Sequence, residues 1–294
     1  MAPRHLVLLL FTMVVWGINI VVNKVVVDIV PPLYFTAVRF AIVLACIFPW
    51  LRIVPGRMKQ VFIIAMLIGG LHFALFFVSL RYADDASVMA IVVQLNMPLV
   101  ALAGIIFLGE RIGWRRAAAM VGAFVGVIVI AFDPRVFSYI GAVLIMILAQ
   151  VDYAVAAVYL RRLQGVNAMQ LLAWNAAFAM PVLFALSAIF ETGQWTALSH
   201  MGLVPWIYVL YSALGGTILG HGVMMFMYQR YPVLQVVIYT LVSPIVGVVS
   251  GVLLLHDHIS AKIVIGGLIT LGSIAFYFQR AKKVAAEKAL PDTA

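Results

Sequence analysis

The chain alternates between long apolar runs and short polar connections. The apolar runs lie at about 6–23, 34–51, 61–80, 87–108, 115–132, 139–160, 169–189, 203–228, 233–255 and 262–279. Most approach the roughly 20 residues an α-helix needs to cross a hydrocarbon core about 30 Å thick. Lipid offers backbone N–H and C=O groups no partner outside their own segment, so helices are expected. Barrel strands would alternate and be about half as long. The pattern predicts an all-α integral membrane protein with ten transmembrane helices. Most connections are short, which makes successive helices antiparallel.

The polar punctuation occurs twice. Arg81-Tyr82 returns as Arg230-Tyr231, Met97-Pro98 as Ser243-Pro244, and Gly109-Glu110-Arg111-Ile112 as His256-Asp257-His258-Ile259, at offsets of 149, 146 and 147 residues. A repeat of half the chain fixes the architecture. One unit covers 5–132 and the other 139–280, leaving 281–294 as a frayed cytoplasmic tail. Five spans per unit is an odd number, so the second copy enters the membrane from the opposite side. Two inverted five-helix repeats are a recurring build of secondary transporters, with the site near the midplane between the repeats.

Composition agrees. Of 294 residues, 66% are hydrophobic and 10% charged, against about 45–50% and about 25% in soluble domains. The net charge of +9 is spread over short loops and builds no basic face, which argues against a nucleic-acid partner. With the N-terminus inside, 14 of the 19 Lys and Arg fall on the inner side and four on the outer, and Arg39 lies within a span. That bias puts both termini in the cytoplasm. The run after Arg4 resembles a signal peptide, but it is long and lacks a small-residue cleavage site, so a retained first helix is expected. Cys46, the only cysteine, lies in an apolar run and is expected to be core packing.

Polar residues at membrane depth are the candidates for function. Trp16, Asn19 and Asn23 share one face of the first span. Trp16 and Asn19 are expected to line a substrate cavity, and Asn23 to sit near the wet outer end. His72 and His221, 149 residues apart, occupy matching slots of the two units. A flanking pair beside a central path is the functional reading, satisfied core histidines the packing one. Gln94 and Asn96 precede Pro98, which removes a backbone donor and kinks its helix; Tyr239 and Ser243 stand beside Pro244. Gln150, Asp152 and Tyr153 cluster in the sixth span. Asp152 is the only carboxylate away from the span ends, and a candidate for proton coupling, for binding a substrate amine or for a structural pair with Arg39 or a histidine. Arg39 is expected to snorkel or pair with a helix end, and Trp174 and Asn175 occupy roughly its slot in the second unit. Gly122, Gly126, Gly266, Gly267 and Gly272 permit close helix packing. No metal site, cofactor or ATP-binding loop is expected, and no H-E-x-x-H, G-x-S-x-G or paired-aspartate set points to an enzyme. A non-transporting scaffold is the reading from another class. The partners expected are a small-molecule substrate, the lipid bilayer and protons; the oligomeric state stays open.

Trp16-Gly17-Ile18-Asn19, Pro31-Pro32-Leu33, Arg39-Phe40, Gln94-Leu95-Asn96-Met97-Pro98 and Leu108-Gly109-Glu110-Arg111 resemble the first half of an EamA-type transporter of the drug/metabolite transporter superfamily. Arg230-Tyr231-Pro232 and Ser243-Pro244-Ile245-Val246-Gly247 resemble its second half. Gln94 with Asn96, and Thr217-Ile218-Leu219-Gly220-His221-Gly222, are most similar to the O-acetylserine/cysteine exporter branch. The resemblance implies export of amino acids, related metabolites or drug-like solutes across the bacterial inner membrane by alternating access. It places Trp16, His72, Gln94, Asn96, Tyr153 and His221 on cavity helices. Tyr153-Ala154 stands where the family commonly has Trp-Ala, and His256-Asp257 where it has Gly-Glu.

Overall fold

The computed structural model describes residues 1–163, 165–231, 236 and 239–289, with the backbone alone at 198, 228, 229 and 278–289. No β-strand occurs among the described residues. Eight helices are long and apolar enough to cross a membrane: α1 (Pro3–Ile29), α2 (Pro32–Trp50), α3 (Met58–Tyr82), α4 (Ala86–Leu108), α5 (Trp114–Ala131), α6 (Ile140–Arg162), α7 (Ala168–Phe190) and α8 (Leu203–Met227). Two shorter apolar helices follow, α9 (Val242–Leu255) and α10, whose apolar part is Ala261–Tyr277. Part of the ninth apolar run, including Pro232, and the chain end from 290 lie outside the described residues. The helix of α10 runs on to Ala289, where the sequence predicts a frayed end. Short helices at Pro134–Ser138 and Gln194–Ser199 cap the connections and were not expected.

Glycine sets how closely the helices pack. α5 packs along α10, where a Cβ on Gly126 would lie 2.5 Å from the carbonyl oxygen of Gly266. Side chains at Gly122, Gly126 or Gly266 would hold these helices apart, as expected of small residues at a membrane interface. Gly267 instead faces Ile91, and Gly272 meets nothing within 4 Å, so Gly272 is not part of that seam. α1 touches α9 through Gly17, where a Cβ would fall 2.5 Å from Val246. α2 packs on α7 through a ridge of Leu33, Ala37, Phe40, Val43 and Ile47 against Leu172, Ala173, Ala176, Ala179 and Leu183. The spacing of three and four keeps each set on one helix face. Cys46 falls off this ridge and is exposed, contrary to the core position expected of it. The start of α2 is capped from a distance: the Glu191 carboxylate accepts the N–H groups of Leu33 and Tyr34 at 2.8 and 3.0 Å, and so supplies the anion that a helix N-terminus favours.

Among the described residues, five helices depart from α geometry; α2 ends in a 3₁₀ turn at Phe48–Trp50 and α9 in a π turn at Gly251–Leu255. α4 tightens to 3₁₀ at Val93–Leu95, one turn before Pro98, where the proline withholds its hydrogen bond. α3 and α8 widen to π-helix at Ala65–His72 and Tyr211–Leu219. The π segments of α3 and α8 carry a Gly-Gly pair each, Gly69-Gly70 and Gly215-Gly216, 146 residues apart.

Candidate functional site

The widened turns of α8 form one side of the site. The Trp16 indole N–H donates to the carbonyl of Gly216 at 2.8 Å. The indole lies against Gly220, where a Cβ would overlap it, and Asn19 fits against Gly216 in the same way. His221 is next: its Nδ1 lies 2.9 Å from the Thr217 carbonyl, and its ring meets Trp16 edge-on with centroids 5.7 Å apart. A carbonyl only accepts, so Nδ1 carries the proton and Nε2 is left for another partner. By surface area the His221 side chain is exposed. Tyr239 packs on the same small cluster as Trp16, with Leu9, Met13 and Met224.

α3 and α6 repeat this arrangement. His72 Nδ1 donates to the carbonyl of Ala149 at 2.8 Å, and the ring lies 5.2 Å from Tyr153. Trp16 and Tyr153 are 137 residues apart, His72 and His221 149. Each pair therefore joins the first helix of one unit to the third of the other, Trp16 on α1 to His221 on α8 and Tyr153 on α6 to His72 on α3. His72 is more enclosed than His221, with Phe73 and Phe76 also against it.

The remaining candidates are scattered. Gln94 is buried and Asn96 half-buried at the irregular turn of α4, and Asn96 Oδ1 is buried with no hydrogen bond. The expected polar cluster of α6 is not a cluster: Gln150 donates to the sulfur of Met146 on its own helix, and Tyr153 faces His72. Asp152 is buried, and its Oδ2 has no hydrogen-bond partner. Neither Arg39 nor a histidine pairs with it among the described residues. Asn23 is 2% exposed, not wet as expected.

Arg39 neither snorkels nor reaches a helix end. It is 2% exposed, and its guanidinium carbon stands 4.4, 4.9 and 5.0 Å from the ring centres of Phe73, Phe77 and Phe40. Nη1 donates to Thr217 Oγ1 at 3.3 Å, and that hydroxyl donates to the Ser212 carbonyl. This box was not legible in the sequence, because two of its three rings come from α3 and its hydroxyl from α8. A Gly-Gly pair repeated within two apolar runs accompanies the π-helical segments of α3 and α8, though that of α9 has none.

The loops carry a separate polar network. Asp257 Oδ2 accepts the N–H and hydroxyl of Ser87 at 2.7 and 2.6 Å, and Asp85 accepts from Tyr139 at 2.8 Å and from the N–H of His258 at 3.2 Å. Burial pushes the Asp257 carboxyl above its ordinary range, against the Ser87 bonds that pull it down. Ser260 donating to Asp133 holds that carboxyl below its ordinary range. Burial, then the bond to Asp85, pushes the Tyr139 phenol well up. At the end of α4, Glu110 pairs with Arg161, and both side chains are 45% exposed.

A family comparison matches this order of helices and polar landmarks twice, to the EamA-like transporter family over residues 4–132 and again over 140–279. The chain belongs to the EamA-like transporter family. Two relatives of this EamA-like chain are described as probable amino-acid metabolite efflux pumps. The one from Escherichia coli is 24% identical and aligns over 92% of this chain and 93% of its own length. The one from Salmonella typhimurium is 25% identical, over 91% and 92%. An uncharacterized transporter of Bacillus subtilis is 26% identical, over 95% and 93%. A solved crystal structure, 20% identical, superposes with a TM-score of 0.65 over 94% of this chain and 97% of its own, a likeness of fold. The protein is thus a multi-span EamA-family membrane transporter, and the site above is described in that setting.

Proposed function

We propose that this protein is a secondary-active transporter of the bacterial inner membrane that exports amino acids or related small metabolites. Ten helices form two inverted five-helix units, 5–132 and 139–280, with both termini in the cytoplasm. The solute passes between the units by alternating access, past Trp16, Asn19, His72, Gln94, Asn96, Tyr153, His221 and Tyr239. The observation that carries the reading is the pair of aromatic–histidine contacts, each beside a π-helical segment. π-Helical turns recur at functional sites because they free backbone groups for other partners. Amides, aromatics and imidazoles suit a small zwitterion, and the amino-acid names of the two efflux-pump relatives support the same class.

Flux into proteoliposomes tests this, using the standard L-amino acids with and without a pH gradient. At least one amino acid should move, and His72→Ala and His221→Ala should each reduce its flux about tenfold or more while membrane expression holds. Loss of a bond to an ionisable group at a site is worth that much. A wild-type protein that moves none of them overturns the reading and favours a scaffold. Full flux in both variants returns the histidines to packing.

A further inference from the structure

We infer that Arg39 anchors a single carboxylate group of the transported solute. The inference rests on the transport reading and names the charge chemistry of its substrate.

Arg39 is a buried cation without a counter-ion. No carboxylate pairs with it among the described residues, and Nε and Nη2 are buried with no hydrogen bond. A permanent charge at membrane depth is costly and normally marks a functional site with a partner. The free donors are not arbitrary. Nη1 is taken by Thr217, which leaves Nε and Nη2, the side-on edge of the guanidinium. Two parallel N–H groups on that edge match the two oxygens of one carboxylate, a match that lysine does not reproduce. Phe73, Phe77 and Phe40 hold the guanidinium by cation–π contact, so the edge is fixed before a ligand arrives.

The position fits a substrate as well. Arg39 is one residue from each aromatic–histidine pair. The Thr217 hydroxyl accepts the hydrogen bond of Nη1, and its backbone carbonyl accepts that of His221. Phe73 covers it and touches His72, with ring centroids 5.1 Å apart. The corresponding residue of the second unit, Asn175, is buried and uncharged. The site therefore offers one fixed positive charge, which suits one carboxylate and not a phosphorylated or sugar-nucleotide solute. The edge is covered in this conformation. α3 and α8 bear its cover and also hold π-helical segments, so the solute gains access when those helices move.

The test measures binding and flux separately. Detergent-purified wild-type protein is heated with each standard L-amino acid, with the corresponding decarboxylated amine (ethanolamine for serine, cysteamine for cysteine), and with the deaminated acid (3-hydroxypropanoate, 3-mercaptopropanoate). At least one amino acid should raise the melting temperature, its deaminated acid should do so too, and its amine should not. Arg39→Lys keeps the charge and loses the two-donor edge, so its half-saturating concentration should rise about tenfold. For Arg39→Gln the rise should reach about a hundredfold. An amine as effective as its amino acid on the wild type overturns the anchor whatever the variants do. So does the absence of any stabilisation by a carboxylate, or a folded Arg39→Gln with unchanged concentration dependence. Carboxylate-dependent stabilisation in a protein that shows no liposome flux overturns the transport reading and leaves the anchor standing.

Discussion

At the scale of single residues, burial alone does not separate function from packing; what faces the residue does. His72 and His221 were legible because they stand at repeat-matched positions, and Trp16 because it shares one helix face with Asn19 and Asn23. Arg39 was not. Five residues into its span it looks like a snorkelling side chain, and the aromatic box that holds it is made by α3, far along the chain. Asp152 was readable as unusual, but its surroundings were not, because Gln150 and Tyr153 turn away from it. The structure bears on its test. Removing one member of a buried ion pair leaves the other charge alone and is strongly destabilising, yet no cation pairs with Asp152 among the described residues. Asp152→Asn is therefore expected to express and insert normally. If the carboxyl couples transport to protons, the variant loses accumulation driven by a pH gradient and keeps downhill exchange. Normal expression with an unchanged pH response would reduce Asp152 to a bystander.

At the scale of elements, apolar length located most of the described spans to within a few residues, since the bilayer fixes how long a spanning helix must be, although α1 runs on to Ile29, six residues past its apolar run. Departures from α geometry were harder to read. Pro98 announces the 3₁₀ turn of α4, because a missing donor is written in the sequence. A π-helical segment has no such residue; it depends on what neighbouring helices offer its carbonyls. Glycines show how tightly those neighbours fit, and two of them make a contrasting pair. A Cβ on Gly216 would stand 2.7 Å from the Asn19 side chain, beside the carbonyl that holds Trp16, whereas a Cβ on Gly70 would meet only Met66 at 3.9 Å. Gly216→Ala should push α1 from α8, cutting flux about tenfold or more and lowering the melting temperature by several degrees, as overpacking of about 1–3 kcal/mol does. Gly70→Ala should leave both near wild type, because alanine fits there and favours helix. Equal behaviour of the two variants in the flux assay would mean that the α1–α8 contact does not shape the path.

At the scale of the molecule, the two corners after α4 and α9 carry the repeat most plainly. Gly109 and His256, 147 residues apart, both take left-handed backbone, with φ of 68° and 56°. The next residue in each case, Glu110 or Asp257, bonds back through its N–H to Gly104 or Gly251 at 3.2 Å. A glycine takes that conformation freely and a histidine at some strain, so the chain keeps the corner even where its preferred residue is lost. The acids then diverge. Asp257 is buried on Ser87, while Glu110 meets Arg161 half-exposed. A corner used twice in the same shape with different fastenings fits a transporter whose two ends open in turn, provided the corners lie on opposite sides of the membrane. Arg111 and His258 are the matching exposed residues just beyond them. Single cysteines at Arg111 and His258 test the inversion directly, in a Cys46→Ser background because Cys46 is itself exposed. In intact spheroplasts a membrane-impermeant maleimide should label His258→Cys at once and Arg111→Cys only after lysis, with Ser199→Cys behaving as His258→Cys and Arg57→Cys as Arg111→Cys. Labelling of Arg111→Cys and His258→Cys from the same side would mean parallel units, and no exchange of conformations between the halves could then open the path first to one side and afterwards to the other.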